Sequence, residues 1–272
     1  MDAESLLKAG DLDGCLAALT ERVRRDPADP KLRIFLFQVL AVRGDWKRAL
    51  NQLAVLGEMH AGALGMVATY RSAIQCEALR ADVFAGKRTP VVLGDPTPWI
   101  ASLVEVLRMR AAEQHDAATE LRDRAFEQAA ETPGTLDGES FAWIADGDTR
   151  LGPVLEVIVD GRYAWAPFER IASLDISPPA DLRDTVWAPV DITWSNGGQS
   201  VGFIPTRYAG TESAGDAGLL LARRTEWIEI APGDFAGRGQ RMLMTDAGEH
   251  ALLDVRALHF ASADAVPESH DG

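Results

Sequence analysis

The residues able to carry chemistry are few and scattered. The five histidines are His60, His115, His250, His259 and His270. No two of them stand at metal-ligand spacing, and no His-Glu-x-x-His occurs. Asp146 and Asp148 are the one acidic pair suited to hold a metal or exchange protons, yet Ala145-Asp146-Gly147-Asp148 reads more simply as a turn. Gly237-Arg238-Gly239 fails as a dinucleotide fingerprint, because Met242 stands where the third glycine belongs. There is no Gly-Lys-Ser/Thr phosphate loop and no Gly-x-Ser-x-Gly nucleophile turn. Trp165-Ala166-Pro167 and Trp187-Ala188-Pro189 repeat at an offset of 22. They either line a pocket or, the preferred reading, pack in a core at strand ends. Arg224 and Trp227, beside Arg223 and Glu226, read as a partner anchor or as a solvated strand face. The expectation is a binding protein with no catalytic residue, no cofactor and no metal.

The elements that must position these residues change character along the chain. Of 272 residues, 47% are hydrophobic and 25% charged, so one large or two ordinary domains can bury a core. The formal net charge of -14 argues against general binding to nucleic acid or anionic membrane, since both need local positive charge. The densest basic run, Arg22, Arg24 and Arg25, is flanked by Glu21 and Asp26. Met1 to Ala9 carries Asp2 and Glu4 and does not read as a signal peptide. No window approaches the roughly 20 apolar residues of a membrane span. Cys15 and Cys76 read as buried thiols, and the expected location is cytoplasmic.

The first half repeats. Gly10-Asp11-Leu12 recurs as Gly44-Asp45-Trp46, an offset of 34, and the register continues through Cys15 and Ala49, Leu16 and Leu50, Leu19 and Leu53. That period is the one of the tetratricopeptide repeat, a pair of antiparallel helices. Asp29 before Pro30 predicts a helix start, and Gly10 and Gly44 suit the left-handed turn that closes a helix. Phe37 stands where such repeats have a small residue, so packing must differ there. Longer helices are predicted over 64–85, after Thr97, and over 116–130. The leading helix of the second hairpin carries a second apolar face at Ile34, Gln38 and Ala41, with Phe37 nearby. This face either lines a groove for an amphipathic partner helix or packs against the rest of the chain.

Past Thr132-Pro133-Gly134 the hydrophobic period moves from 3.6 toward 2. Strands are predicted at 162–167, 171–176, 226–230, 240–245 and 251–260. Ser195-Asn196-Gly197-Gly198-Gln199 predicts a hairpin between 192–194 and 201–204. The stretch Leu151 to Val159 fits a strand or a helix and is read as a helix. The predicted organisation is α+β in two domains: a tetratricopeptide-like helical domain over 1–131 and a strand-rich domain over 132–260. The sheet is expected to be mostly antiparallel and barrel-like, with a disordered tail over 261–272.

Many short strings in order complete the reading. Among them are Leu36-Phe37-Gln38, Tyr70-Arg71-Ser72-Ala73-Ile74, Trp143-Ile144-Ala145-Asp146, Ala180-Asp181-Leu182-Arg183-Asp184 and Ile204-Pro205-Thr206-Arg207-Tyr208. In these the chain resembles the ImpE family, also called TagJ, over about residues 1–260. The resemblance implies an accessory protein of bacterial type VI secretion with no enzymatic activity. Its implied partner is the N-terminal helix of the small sheath subunit, TssB, with an indirect link to sheath recycling by the ClpV unfoldase. The alternative is a small-molecule-binding or hydrolytic role for the tryptophan-rich half, with the helices as a docking arm. Binding through an apolar groove is expected to depend weakly on salt.

Overall fold

The computed structural model describes residues 2–95 and 97–261, so the tail expected beyond Ala261 lies outside the described residues. Seven helices fill most of the first half: α1 (Ala3–Lys8), α2 (Leu12–Arg25), α3 (Pro30–Val42), α4 (Trp46–Met59), α5 (Leu64–Phe84), α6 (Pro98–Ala111) and α7 (His115–Gln128). Local chemistry starts and stops them. The side chains of Asp2, Asp11, Asp29 and Asp45 each accept hydrogen bonds from backbone N–H groups of the first turn that follows. Gly10 and Gly44 turn the chain between successive helices at φ of +81° and +69°. Gly44 is also a close approach, because a Cβ there would sit 2.5 Å from the Cβ of Glu212. Thr97 stands at the start of α6, but its side chain caps nothing.

The strands are β1 (Val91–Val92), β2 (Gly134–Leu136), β3 (Glu139–Phe141), β4 (Ile144–Asp146), β5 (Val154–Val159), β6 (Arg162–Pro167), β7 (Ile171–Ile176), β8 (Trp187–Trp194), β9 (Gln199–Pro205), β10 (Thr225–Ala231), β11 (Asp234–Gly239), β12 (Met242–Thr245), β13 (Gly248–Ala251) and β14 (Ala257–Phe260). A short helix α8 (Ala217–Leu220) precedes β10. Nine strands form one sheet in the order β1-β6-β5-β9-β8-β7-β14-β2-β3. Every pairing in it is antiparallel except β1 with β6. The edges β1 and β3 do not pair with each other, so the sheet stays open and the expected barrel is corrected. A three-stranded sheet β13-β12-β4 and the hairpin β10-β11 complete the second half.

Three expectations change. Val154–Val159 is a strand rather than a helix, lying between β6 and β9 with five of its six residues buried. Burial on both faces removes the alternation that marks a half-exposed strand, which is why periodicity misled there. The stretch 251–260 is split by a turn at 252–254, and its two ends join different sheets. Asp146 ends β4 as a strand residue, while Gly147 and Asp148 make the expected bend, and both carboxylates are buried. The hairpin at Asn196-Gly197 stands as expected, on longer strands.

The sheet has two apolar faces, and the pleat assigns residues to them. Val154, Ile158, Tyr163 and Trp165 join one core with Phe37, Leu40 and Leu53 of the helices. Leu155, Val157, Ala164 and Ala166 join a second core with Leu243 of β12 and Leu252. The helices and the sheet therefore share one continuous core. Tyr70 of α5 lies 5.6 Å from Phe37, 5.7 Å from Trp187 and 5.6 Å from Phe203 between ring centroids. This sharing has a direct consequence. A fragment of residues 1–131 is expected to lose cooperative unfolding, because it uncovers the Tyr70 face and leaves Arg80 without Glu156. Thermal melting followed by circular dichroism checks this; a fragment with full helicity and a sharp transition would refute it.

Candidate functional site

The groove that receives the sequence-predicted face has a volume of about 660 Å³. Two walls come from α1 and α3 and the third from Ala180, Asp181 and Leu182 of the strand-rich half. Its floor is apolar, with Leu7, Leu32, Ile34 and Phe35 side by side. Ile34 and Phe35 are half-buried, so each still presents surface to a ligand. Gln38 lines the groove at 6% exposure, whereas Phe37 and Ala41 are fully buried. Phe37 and Ala41 therefore support the wall from behind, since the helix turns them toward Tyr70 and the shared core.

The α1 wall and the 180–182 wall are both held by residues of the second half. Arg223 donates to the carbonyls of Leu7 at 3.2 Å and Lys8 at 3.3 Å, which closes the C-terminal end of α1. The 180–182 wall rests on Asp184, whose carboxylate accepts from the N–H groups of Ala180 at 2.9 Å and Asp181 at 2.8 Å. Asp181 pairs in turn with Arg183, whose guanidinium lies 4.7 Å from the centre of the Tyr70 ring. Such a wall is preorganised, and preorganisation lowers the entropy lost on binding.

Arg224 and Trp227 do not line this groove. Arg224 is satisfied by Asp216 at 3.2 Å and by Glu226. Trp227 is 39% exposed and packs against Tyr208 in a tilted arrangement, with ring centroids 5.6 Å apart. Trp165 and Trp187 are fully buried, and their indole N–H groups donate to Tyr163 Oη and Glu77 Oε1, each at 2.8 Å.

Away from the groove lining, a buried ionic network ties the halves together. Glu156 of β5 accepts from Arg80 of α5 through Nε at 2.7 Å and Nη2 at 2.8 Å, from Tyr163 Oη at 2.5 Å, and from Arg241. Arg241 also pairs with Asp146. Arg207 donates to the carbonyls of Val42 and Leu220, each at 2.6 Å, joining the end of α3 to α8. Burial pushes the Cys15 and Cys76 thiols up to about 11, which keeps both protonated and unreactive at neutral pH. Among the described residues no group of three or more His, Cys, Asp or Glu is placed to hold a metal, and no helix is long and apolar enough to cross a membrane. The described lining of the groove is apolar and ionic apart from Gln38 and includes no cysteine, serine, threonine or histidine.

Known proteins share this architecture. The sequence model of the ImpE protein family matches residues 138–259. The type VI secretion system accessory component TagJ of Pseudomonas aeruginosa is 53% identical over 265 residues, 97% of this chain and 93% of that protein. The chain belongs to the ImpE family. A crystal structure of a Vibrio parahaemolyticus protein matches with a TM-score of 0.87 at 26% identity, over 95% of this chain and 97% of that one. The TagJ and Vibrio matches extend over the helical half as well as the sheet, whereas the family model covers only the strand-rich half. In this ImpE chain the wall at 180–184 was visible in sequence only as one of the family strings. Arg80, Arg207 and Arg241 carried no local signal for their roles, because Glu156, Val42 and Asp146 lie in distant parts of the chain.

Proposed function

We propose that this chain is a type VI secretion accessory component that acts by binding, and that its groove holds the N-terminal helix of the small sheath subunit TssB. In this reading the first two hairpins are of the tetratricopeptide kind, and α1 and α3 are their leading helices. The bound sheath subunit links the protein indirectly to ClpV-dependent recycling in the cytoplasm, without catalysis. One observation carries the reading: an open apolar floor on the leading helices, bounded by charged residues and by a fixed third wall. An amphipathic helix laid into such a trough buries its apolar face and leaves its polar face wet. Similarity to TagJ supports the secretion setting.

The test uses the full chain and a synthetic TssB N-terminal peptide in titration calorimetry. Ile34→Glu places a charge on the floor and is expected to weaken binding by about 2 kcal/mol, roughly 30-fold. Because Ile34 is only half-buried, the fold should survive, and the melting temperature of the variant verifies that. Unchanged affinity in a folded Ile34→Glu protein would remove the groove as the site. Deleting the second half cannot stand in for this test, since that half supplies a wall and fixes α1.

A further inference from the structure

We infer that the occupant of the groove is an acidic amphipathic helix, with carboxylates flanking its apolar ridge. The inference rests on the groove as a helix-binding site and adds the chemistry of the guest.

The rim of the groove carries six ionisable side chains: Glu4, Lys8, Arg22, Asp29, Lys31 and Asp181. One of the three carboxylates is paired with a cation, and a second caps a helix while keeping its charge. Asp29 accepts from the N–H groups of Lys31 at 2.8 Å and Leu32 at 3.4 Å, and Asp181 pairs with Arg183. The three cations Lys8, Arg22 and Lys31 are exposed and form no ion pair among the described residues. Their neighbours differ: Arg24 and Arg25 both pair with Glu21, and Arg43 pairs with Asp13. What the rim offers a guest is therefore three unpaired cations against two carboxylates without a cation, Glu4 and Asp29.

This balance opposes the rest of the molecule, whose formal net charge is -14. At physiological ionic strength charges beyond about 8 Å are largely screened, so a guest lying in the trough responds to the rim. A basic helix would meet Lys8, Arg22 and Lys31 at close range, and an acidic one would pair with them. The apolar floor argues against a nucleic-acid strand, which needs a basic track along its backbone and stacking rings. The weak salt dependence expected of an all-apolar contact gives way to a measurable one.

The experiment compares two synthetic helical peptides with the same leucine ridge, one flanked by Glu and the other by Lys. Each is titrated into the full chain by fluorescence anisotropy. An exposed pair contributes a factor of about 2, so the wild type is expected to prefer the Glu peptide by roughly tenfold at low salt and to lose most of that preference near about 0.5 M salt. The triple reversal Lys8→Glu, Arg22→Glu, Lys31→Glu is expected to invert the preference. The single Arg22→Glu variant should reduce it about twofold and serves if the triple variant is unstable. Equal affinity for both peptides, preference for the Lys peptide, or tighter binding of a single-stranded oligonucleotide would overturn the inference. The TssB peptide reports separately. If it fails to bind while the designed pair behaves as stated, the sheath reading falls and the acidic specificity of the groove stands.

Discussion

Glu156→Gln is expected to destabilise this protein by about 3–5 kcal/mol at neutral pH, although the side chain keeps its size. Glu156 is fully buried and is shared by two buried guanidiniums, Arg80 and Arg241. Neutralising it leaves Arg80 with Glu77 at 3.4 Å and Arg241 with Asp146, and the two cations then repel in a low-dielectric interior. Urea unfolding monitored by tryptophan fluorescence gives the difference; a loss below about 1 kcal/mol would show that water or neighbouring dipoles already solvate the arginines.

The same residue sets a pH signature. Burial alone would raise the Glu156 carboxyl, but Arg80, Arg241 and the Tyr163 hydroxyl outweigh it and lower the group from 4.5 to about 2. A depressed folded-state value means that the unfolded chain takes up the proton first. The stabilisation from Glu156 is thus complete above about pH 4.5 and is lost as pH falls toward about 2. Stability measured across that window should fall more steeply in the wild type than in Glu156→Gln. Parallel curves would mean that the carboxylate gains nothing from its partners.

Asp234→Ala is the second large effect. Asp234 opens β11, is fully buried, and pairs with Arg110 of α6 and Arg122 of α7. It also accepts from the hydroxyls of Thr119 and Thr149, each at 3.0 Å. Burial, together with Arg122 and Arg150 nearby, pushes Arg110 down to about 10, so its charge leans on the carboxylate beside it. Removing the carboxylate is expected to cost about 3–5 kcal/mol and to loosen the packing of α6 and α7 on the β10-β11 hairpin. Hydrogen exchange should quicken first in those elements. Asp123, the exposed second partner of Arg122, makes the control: Asp123→Ala should change stability by no more than about 1 kcal/mol. Equal losses in the two variants would mean that burial is not what gives Asp234 its weight.

The sequence by itself determined the helical hairpins of the first half. Their signals lie within a few residues of one another: an aspartate followed by its helix, a glycine at the turn, an apolar side chain at every third or fourth place. It also determined the Asn-Gly hairpin, the position of Ile34 and Gln38 on an available face, and, through many short strings, the family. Only the tertiary structure decided that Phe37 and Ala41 turn inward and that Val154–Val159 is a central strand. The same holds for Asp146, Asp148 and Glu156, which are interior, and for the third wall of the groove at 180–182. The reason is range. Caps and periodicity act between residues three or four apart, whereas Arg80 meets Glu156 across 76 positions and Arg207 meets Val42 across 165. Such pairs exist only once the sheet has closed over the helices, so their charges read as ordinary surface residues until the fold removes them from water.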